Sequence, residues 1–318
     1  MNTHPDEPIV GEAGHLSSRP PLPPPLGLLL GVLAASTASP LIRLAQQEAV
    51  SLAVAAWRML LAALLLAPYA LTARRAELRS MTRREWVLAL ISGLFLALHF
   101  ATWISSLALT SVAVSVVLVA TSPLWVGLIS HLFLGERLSR SQALGLAVAL
   151  AGSAVIGFGD AGQGTHRLVG DGLALAGALS AAGYFLIGRR LRTRLSLVGY
   201  VFPVYGTAAV ALLLTAGLRG VPMGGYAPIT WLWLLLLAIG PQILGHSSLN
   251  WALRHVSATF VTLATLGEPI GSTLLAWLIL REAPGWSAVL GGGLILIGIM
   301  VAGRSEPTAS LSNRPNRL

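Results

Sequence analysis

The chain has 318 residues, 55% of them hydrophobic and 10% charged, with a mean hydropathy of +0.75. A soluble domain carries about 25% charged residues; too few are present here to coat a globule of this size, so a soluble binding module is excluded and the body belongs in a bilayer. All 21 basic residues are arginine and most sit in short loops between apolar runs, so the net charge of +9 reflects orientation in a membrane and not nucleic-acid binding, while the lack of cysteine removes disulfides, thiolate metal sites and cysteine nucleophiles.

In chain order, residues 1–25 (MNTHPDEPIVGEAGHLSSRPPLPPP) are polar and proline-rich and read as a disordered cytoplasmic tail. The apolar stretch that follows has no charged segment directly before it and is succeeded by many more, so it reads as a first helix rather than a signal peptide. Crossing a hydrocarbon core of ~30 Å takes about 20 apolar residues. Breaks at charge, glycine and proline clusters then predict ten spans, at 26–46, 52–72, 86–107, 112–134, 141–159, 170–188, 196–216, 229–250, 257–280 and 286–303. A polar tail, 304–318, closes the chain. With the N-terminus inside, the cytoplasmic loops hold 12 arginines, Arg74, Arg79 and Arg190 among them, against four outside: Arg43, Arg167, Arg219 and Arg281. That bias predicts a multi-pass protein of the inner (plasma) membrane with both termini cytoplasmic.

At an offset of 146 residues the chain resembles itself: SPLWVGLISHLFLGERL (122–138) lies against EPIGSTLLAWLILREAP (268–284), aligning Pro123 with Pro269 and Glu136 with Glu282. Between 99–157 and 245–303, 14 of 59 positions are identical without a gap, and the matched proline and glutamate carry more weight than the matched leucines. Five spans per copy is an odd number, so the second copy enters the membrane from the opposite side. The expected fold is an all-α integral membrane protein of ten transmembrane helices, arranged as two inverted five-helix repeats over 26–159 and 170–303. Such an architecture serves alternating-access carriers with a midplane site.

These paired segments, a Ser-Pro or Glu-Pro step followed by LGERL or LREAP and then by spaced glycines, resemble the two halves of an EamA-type permease of the drug/metabolite transporter superfamily. The similarity covers about residues 26–303. Arg281 stands where that family more often has glycine before the glutamate. The resemblance implies ten helices, inverted halves, a central cavity and export or exchange of a small metabolite, without singling out one substrate.

The polar residues inside the spans are the candidate site. Glu268 is the twelfth residue of a 24-residue span; a charge at that depth costs roughly 2.5–3.5 kcal/mol and should face a cavity or a partner. It could bind a cation, carry a coupling proton or balance another charge. Pro269 beside it, and Pro123 in the first copy, predict symmetry-related helix kinks, either static or flexing. Arg58 is the other ionisable group well inside a span; snorkelling, pairing with Glu268 and contact with a substrate carboxylate are all open to it. Gln242, His246 and Asn250 follow at i, i+4, i+8 and would share a helical face looking into the bundle, with Asn250 near the cytoplasmic boundary. His99 and Trp103 repeat that pattern in the third span, and Tyr205 offers a wall or packing residue in the seventh. Glycines at 145, 152, 291 and 298 suit close helix packing.

A rival reading is an intramembrane serine-protease-like enzyme built on GHSS (245–248) with His99, but glycine does not follow the serine and such an enzyme needs no repeat. A polar-solute channel is the other rival; few interior charges favour a gated site over an open path. The reading taken is a secondary transporter for a small organic metabolite, an amino acid or related compound being one class, with no catalytic residue, metal or other cofactor. Its expected partners are the small-molecule substrate and the lipid bilayer, with no nucleic acid, and the protein acts as a monomer or a homodimer.

Overall fold

The computed structural model describes residues 22–110, 112–134, 138–159, 166–280 and 286–304, and among these every regular element is a helix. The expected tails lie almost wholly outside the described residues, as do Glu136, Arg281 and Glu282.

Eight helical stretches are long and apolar enough to cross a membrane. The first consists of α1 (Pro24–Ser36) and α2 (Ala38–Ala45). The second is α3 (Ser51–Thr72); a short loop helix, α4 (Arg75–Ser80), leads to the third, α5 (Arg83–Leu109). The fourth is divided into α6 (Val112–Val119) and α7 (Ser122–Leu134), and α8 (Arg140–Gly159) ends this half. The second half holds α9 (Arg167–Leu191) and α10 (Leu197–Leu218). Then α11 (Pro228–Leu237) runs through the wide-turned segment Ala238–His246 into α12 (Ser247–Ala252). A divided span, α13 (Ala258–Thr265) and α14 (Glu268–Leu280), precedes α15 (Trp286–Gly303). α8 is not among the eight, and α15 contributes only the shorter apolar stretch Val289–Ala302.

Local chemistry sets the helix starts. Thr82 and Glu85 form a capping box at α5: Glu85 N donates to Thr82 Oγ1, and Thr82 N donates to Glu85 Oε2 at 2.8 Å. Ser196 and Ser257 cap α10 and α13 by accepting from Gly199 N and Phe260 N. Pro24 and Pro228 occupy first-turn positions, where a missing N–H is harmless. Past α10, Gly220 and Gly225 take φ of 62° and 84°, a region side chains resist, and turn the chain back toward α11.

Pro123 and Pro269 are not kinks inside one helix. Each is the second residue of a new helix, α7 or α14, and the span is broken before it by tight turns. Thr121 N donates to Leu118 O at 3.2 Å, and Gly267 N to Ala264 O at 3.0 Å. A proline in the first turn needs no backbone partner, so a break there costs less than a kinked continuous helix.

The helix bounds repeat along the chain. A shift of 146 residues carries Ser51–Thr72 onto Leu197–Leu218, Val112–Val119 onto Ala258–Thr265 and Ser122–Leu134 onto Glu268–Leu280. Helix contacts repeat likewise. A Cβ on Gly31 would meet Ser248, Leu249 and the Gly245 carbonyl; one on Gly177, its shift-mate, would meet Thr102, Trp103 and the His99 carbonyl. Residues 99, 102 and 103 are the shift-mates of 245, 248 and 249. Between α8 and α15 the pairing closes on itself: Gly145 lies against the Gly298 carbonyl, and Gly152 against the Gly291 carbonyl. These two helices are therefore antiparallel and meet backbone to backbone, which only small residues permit. Leucines such as Leu64, Leu94 and Leu214 cover the outer surface, as a hydrocarbon solvent requires.

Candidate functional site

A cavity of about 40 Å³ lies between α5, α6, α7, α9, α12, α13 and α14 and the wide-turned segment. His99, Trp103, Tyr184, Phe185, His246, Thr265 and Glu268 are its polar and aromatic lining, with Ser122 opposite Glu268 along the chain repeat. Ser122 and Glu268 are the first residues of α7 and α14, so two helix starts converge on one space. The partial positive charge at the start of α14 suits the Glu268 carboxylate. Glu268 is half-buried, its exposed part facing the cavity. A break in the span thus places a carboxylate at a helix N-terminus beside a polar space rather than against lipid.

The sequence-predicted residues fall into two groups. Glu268, His99, Trp103 and His246 line the cavity. His99 stacks on Trp103, with ring centroids 5.7 Å apart and 19° between planes, and its Nδ1 pairs with Gly177 O at 3.0 Å. Arg58, Gln242 and Tyr205 lie behind this wall. Arg58 is fully buried, so it does not snorkel; its Nε donates to Gln242 Oε1 at 2.9 Å and its Cζ sits 4.1 Å from the Phe100 ring centroid. No ion pair joins Arg58 to Glu268 among the described residues. Tyr205 OH reaches Ser247 Oγ at 3.2 Å and donates to Gln242 O at 3.4 Å.

Gln242 and His246 do not stand on an ordinary α-helical stripe. The backbone from Ala238 to His246 widens to π turns around Pro241, which has no N–H to give the preceding turn. Such wide turns alter which side chains share a face and are frequent at functional sites. Asn250, which the sequence reading puts near the cytoplasmic boundary, is completely buried within the bundle. Its Nδ2 donates to His246 O at 2.7 Å and to Tyr184 OH, and its carbonyl accepts from Arg192 Nε at 3.0 Å. A polar ladder so runs from the cavity to Arg192, whose pKa is pushed down to about 10 by burial and then by Arg254.

Phe100 is the main residue that the sequence reading passes over. It touches Arg58 and also approaches His99 and His246, at centroid distances of 4.8 and 5.3 Å. Phe100 is the shift-mate of His246, so the internal repeat already paired the two positions; an apolar side chain carried no signal by itself. Among the described residues no cluster of His, Cys, Asp and Glu could hold a metal ion.

Both ends of the bundle are tied across the two halves. At one end Ser196 N and Oγ donate to the Glu77 carboxylate at 2.5 and 2.6 Å, and Arg194 pairs with Glu85. At the other, Ala227 N and Thr230 Oγ1 each donate to Glu48 Oε2 at 2.8 Å, and Trp57 Nε1 donates to Met223 O at 3.0 Å. Each of these ties joins a residue of the first half to one of the second.

Comparison with known proteins agrees with this architecture. The sequence model of the EamA-like transporter family matches residues 23–158 and again 168–304. The pseudopaline exporter CntI of Pseudomonas aeruginosa is 29% identical over 294 residues, covering 88% of this chain and 96% of the exporter. A probable terminal-alkyne amino-acid exporter of Streptantibioticus cattleyicolor is 29% identical over 59% of this chain and 62% of its own length, and the uncharacterized transporter YdfC of Bacillus subtilis 27% over 59% and 61%. The chain thus spans about three fifths of the last two relatives. A solved crystal structure of 24% identity superimposes with a TM-score of 0.71 over 88% of this chain and 96% of its own, a likeness of fold. With the family's sequence model matched once in each half of an all-helical, multi-pass bundle, the chain belongs to the EamA-like transporter family.

Proposed function

We propose that this transporter is an exporter or exchanger of a small organic metabolite, an amino acid or related compound, working by alternating access across the inner membrane. The observation that carries the reading is the cavity itself: a small polar space holding Glu268 between halves whose helix bounds and contacts repeat. At about 40 Å³ it has room for a few water molecules, so a solute enters only when the halves move apart. Two relatives named as exporters support the outward direction.

The inverted, ten-helix arrangement belongs to the same proposal, with α8 and α15 as the fifth and tenth helices. It is supported by their self-pairing contacts: Gly145 with Gly298 and Gly152 with Gly291. Antiparallel helices related in this reciprocal way call for a twofold axis perpendicular to them. For helices that cross a membrane, that axis lies in the membrane plane. Both termini then face the cytoplasm with the arginine-rich loops, and the working unit is a monomer or a homodimer.

The test is flux in vesicles holding the purified protein and a mixed pool of cell metabolites. Saturable, protein-dependent movement of a small organic solute is expected. Unsaturable flux would point to a channel, and no flux of any solute, with or without a pH gradient, would reject the proposal.

A further inference from the structure

The buried nitrogens around the cavity are lopsided. Arg58 Nη1 and Nη2, Gln242 Nε2 and Trp103 Nε1 are all buried without a hydrogen-bond partner, and His246 Nδ1 is likewise alone. The first four can only donate. Gln242 presents its oxygen to Arg58 because a guanidinium cannot accept, which leaves the amide nitrogen necessarily free. One orphan acceptor lies nearby, Asn250 Oδ1, but Asn250 is committed through its amide nitrogen to Tyr184 and His246. Buried donors are nearly always satisfied, and an unpaired buried cation is costlier still. Arg58 has no carboxylate of this protein against it among the described residues. Its free Nη pair is a fork shaped for the two oxygens of a carboxylate.

We propose that Arg58 and Gln242 form the carboxylate subsite of the transported solute, screened in this conformation by Phe100. The inference rests on the transporter reading and narrows its substrate class to zwitterions. The solute's carboxylate meets the Arg58 fork, and its ammonium group lies toward Glu268, the one acidic residue of the lining. The two opposite charges of the site are held apart by the protein so that the solute, not a direct ion pair, neutralises them. Phe100 packs on Arg58 and on the cavity residues His99 and His246. Displacing its ring would join the cavity to the guanidinium and enlarge a space now too small for such a solute.

The test is thermal stabilisation of the purified full-length protein by the common L-amino acids, each beside its own amide. At least one free acid should raise the melting temperature in a saturable manner. Its amide should bind about tenfold more weakly or worse, from loss of a charge-assisted pair. Arg58→Gln should remove that preference, and Arg58→Lys should keep part of it. The wild-type acid-to-amide comparison stands even if those variants fail to fold. Equal stabilisation by acids and amides would overturn the carboxylate subsite while leaving solute flux, and hence the transporter reading, intact. Stabilisation by no amino acid would overturn the zwitterion assignment. Stabilisation by chloride alone, with no increment from any amino acid, would assign the fork to an inorganic anion and overturn it as well.

Discussion

Arg58 and Gln242, 184 residues apart in the chain, meet at 2.9 Å in the buried centre of the bundle. The bond ties α3 of the first half to the wide-turned segment of the second. It leaves both terminal guanidinium nitrogens unpaired. Gln242→Leu should therefore lower stability by about 1–3 kcal/mol, read as a drop in melting temperature in detergent. Gln242→Glu supplies the arginine with a permanent carboxylate and should raise that temperature while abolishing solute flux. A Glu variant that still transports normally would show that the guanidinium is not needed free.

Glu268 opens α14 and faces the cavity. Glu268→Gln keeps its shape and removes its charge. Flux in vesicles should fall at least about tenfold, as expected when one charge-assisted contact is lost. Folded yield and melting temperature should remain near wild type, because no ion pair of the described structure depends on Glu268. Undiminished flux would remove the carboxylate from the transport step.

Two glycines separate packing from mere helix propensity. A side chain at Gly145 would press on the Gly298 carbonyl and on Ala302, whose Cβ would lie at 2.7 Å. Gly145→Leu should cost about 1–3 kcal/mol or more and reduce folded yield. A Cβ at Gly206, within α10, meets nothing within 4 Å. Gly206→Ala should gain about 0.5–1 kcal/mol from helix propensity alone. Melting curves of the two variants in one detergent check the contrast.

The ties at the two ends offer a test of alternating access, and the absence of native cysteine makes the chain a clean background for it. A bis-methanethiosulfonate bridging Glu77→Cys and Ser196→Cys through two disulfides should block flux, as should one bridging Glu48→Cys and Thr230→Cys. Reduction should restore each. A channel would lose conduction only through steric plugging. Uninhibited flux with either bridge in place would exclude opening at that end.

The proposed sidedness rests on the arginine distribution. Arg79→Cys, in the loop after α3, should react with an impermeant maleimide only when the reagent has access to the cytoplasmic face. Gly224→Cys, in the exposed loop after α10, should react only from the opposite face. Labelling of both from one side would contradict the proposed orientation.

Much of this architecture was readable along the chain because two physical regularities are local. Spanning a hydrocarbon layer demands long apolar runs, so the helices announced themselves by length and composition, and their copies by a constant offset. Rare residues inside those runs, Glu268, Arg58, His99 and His246, stood out because each is costly in lipid without a reason to be there. What local pattern could not settle was which of them face one another. Pro123 and Pro269 marked the places where the spans are interrupted, but a proline looks alike inside a helix and at its start; only the tight turns before them show that a new helix begins there. The stripe from Gln242 to Asn250 assumed regular α turns, yet the backbone widens there, and the burial of Asn250 shows only in the packing. Phe100 carried no polar signal at all, and its place between Arg58 and the cavity arises from three helices meeting. Sequence alone determined that this is a duplicated, membrane-embedded helical protein, because hydropathy and repetition are properties of the chain itself. Only the tertiary structure decided that Arg58 stands apart from Glu268, behind an aromatic ring and with its fork unpaired, because that depends on how distant segments pack.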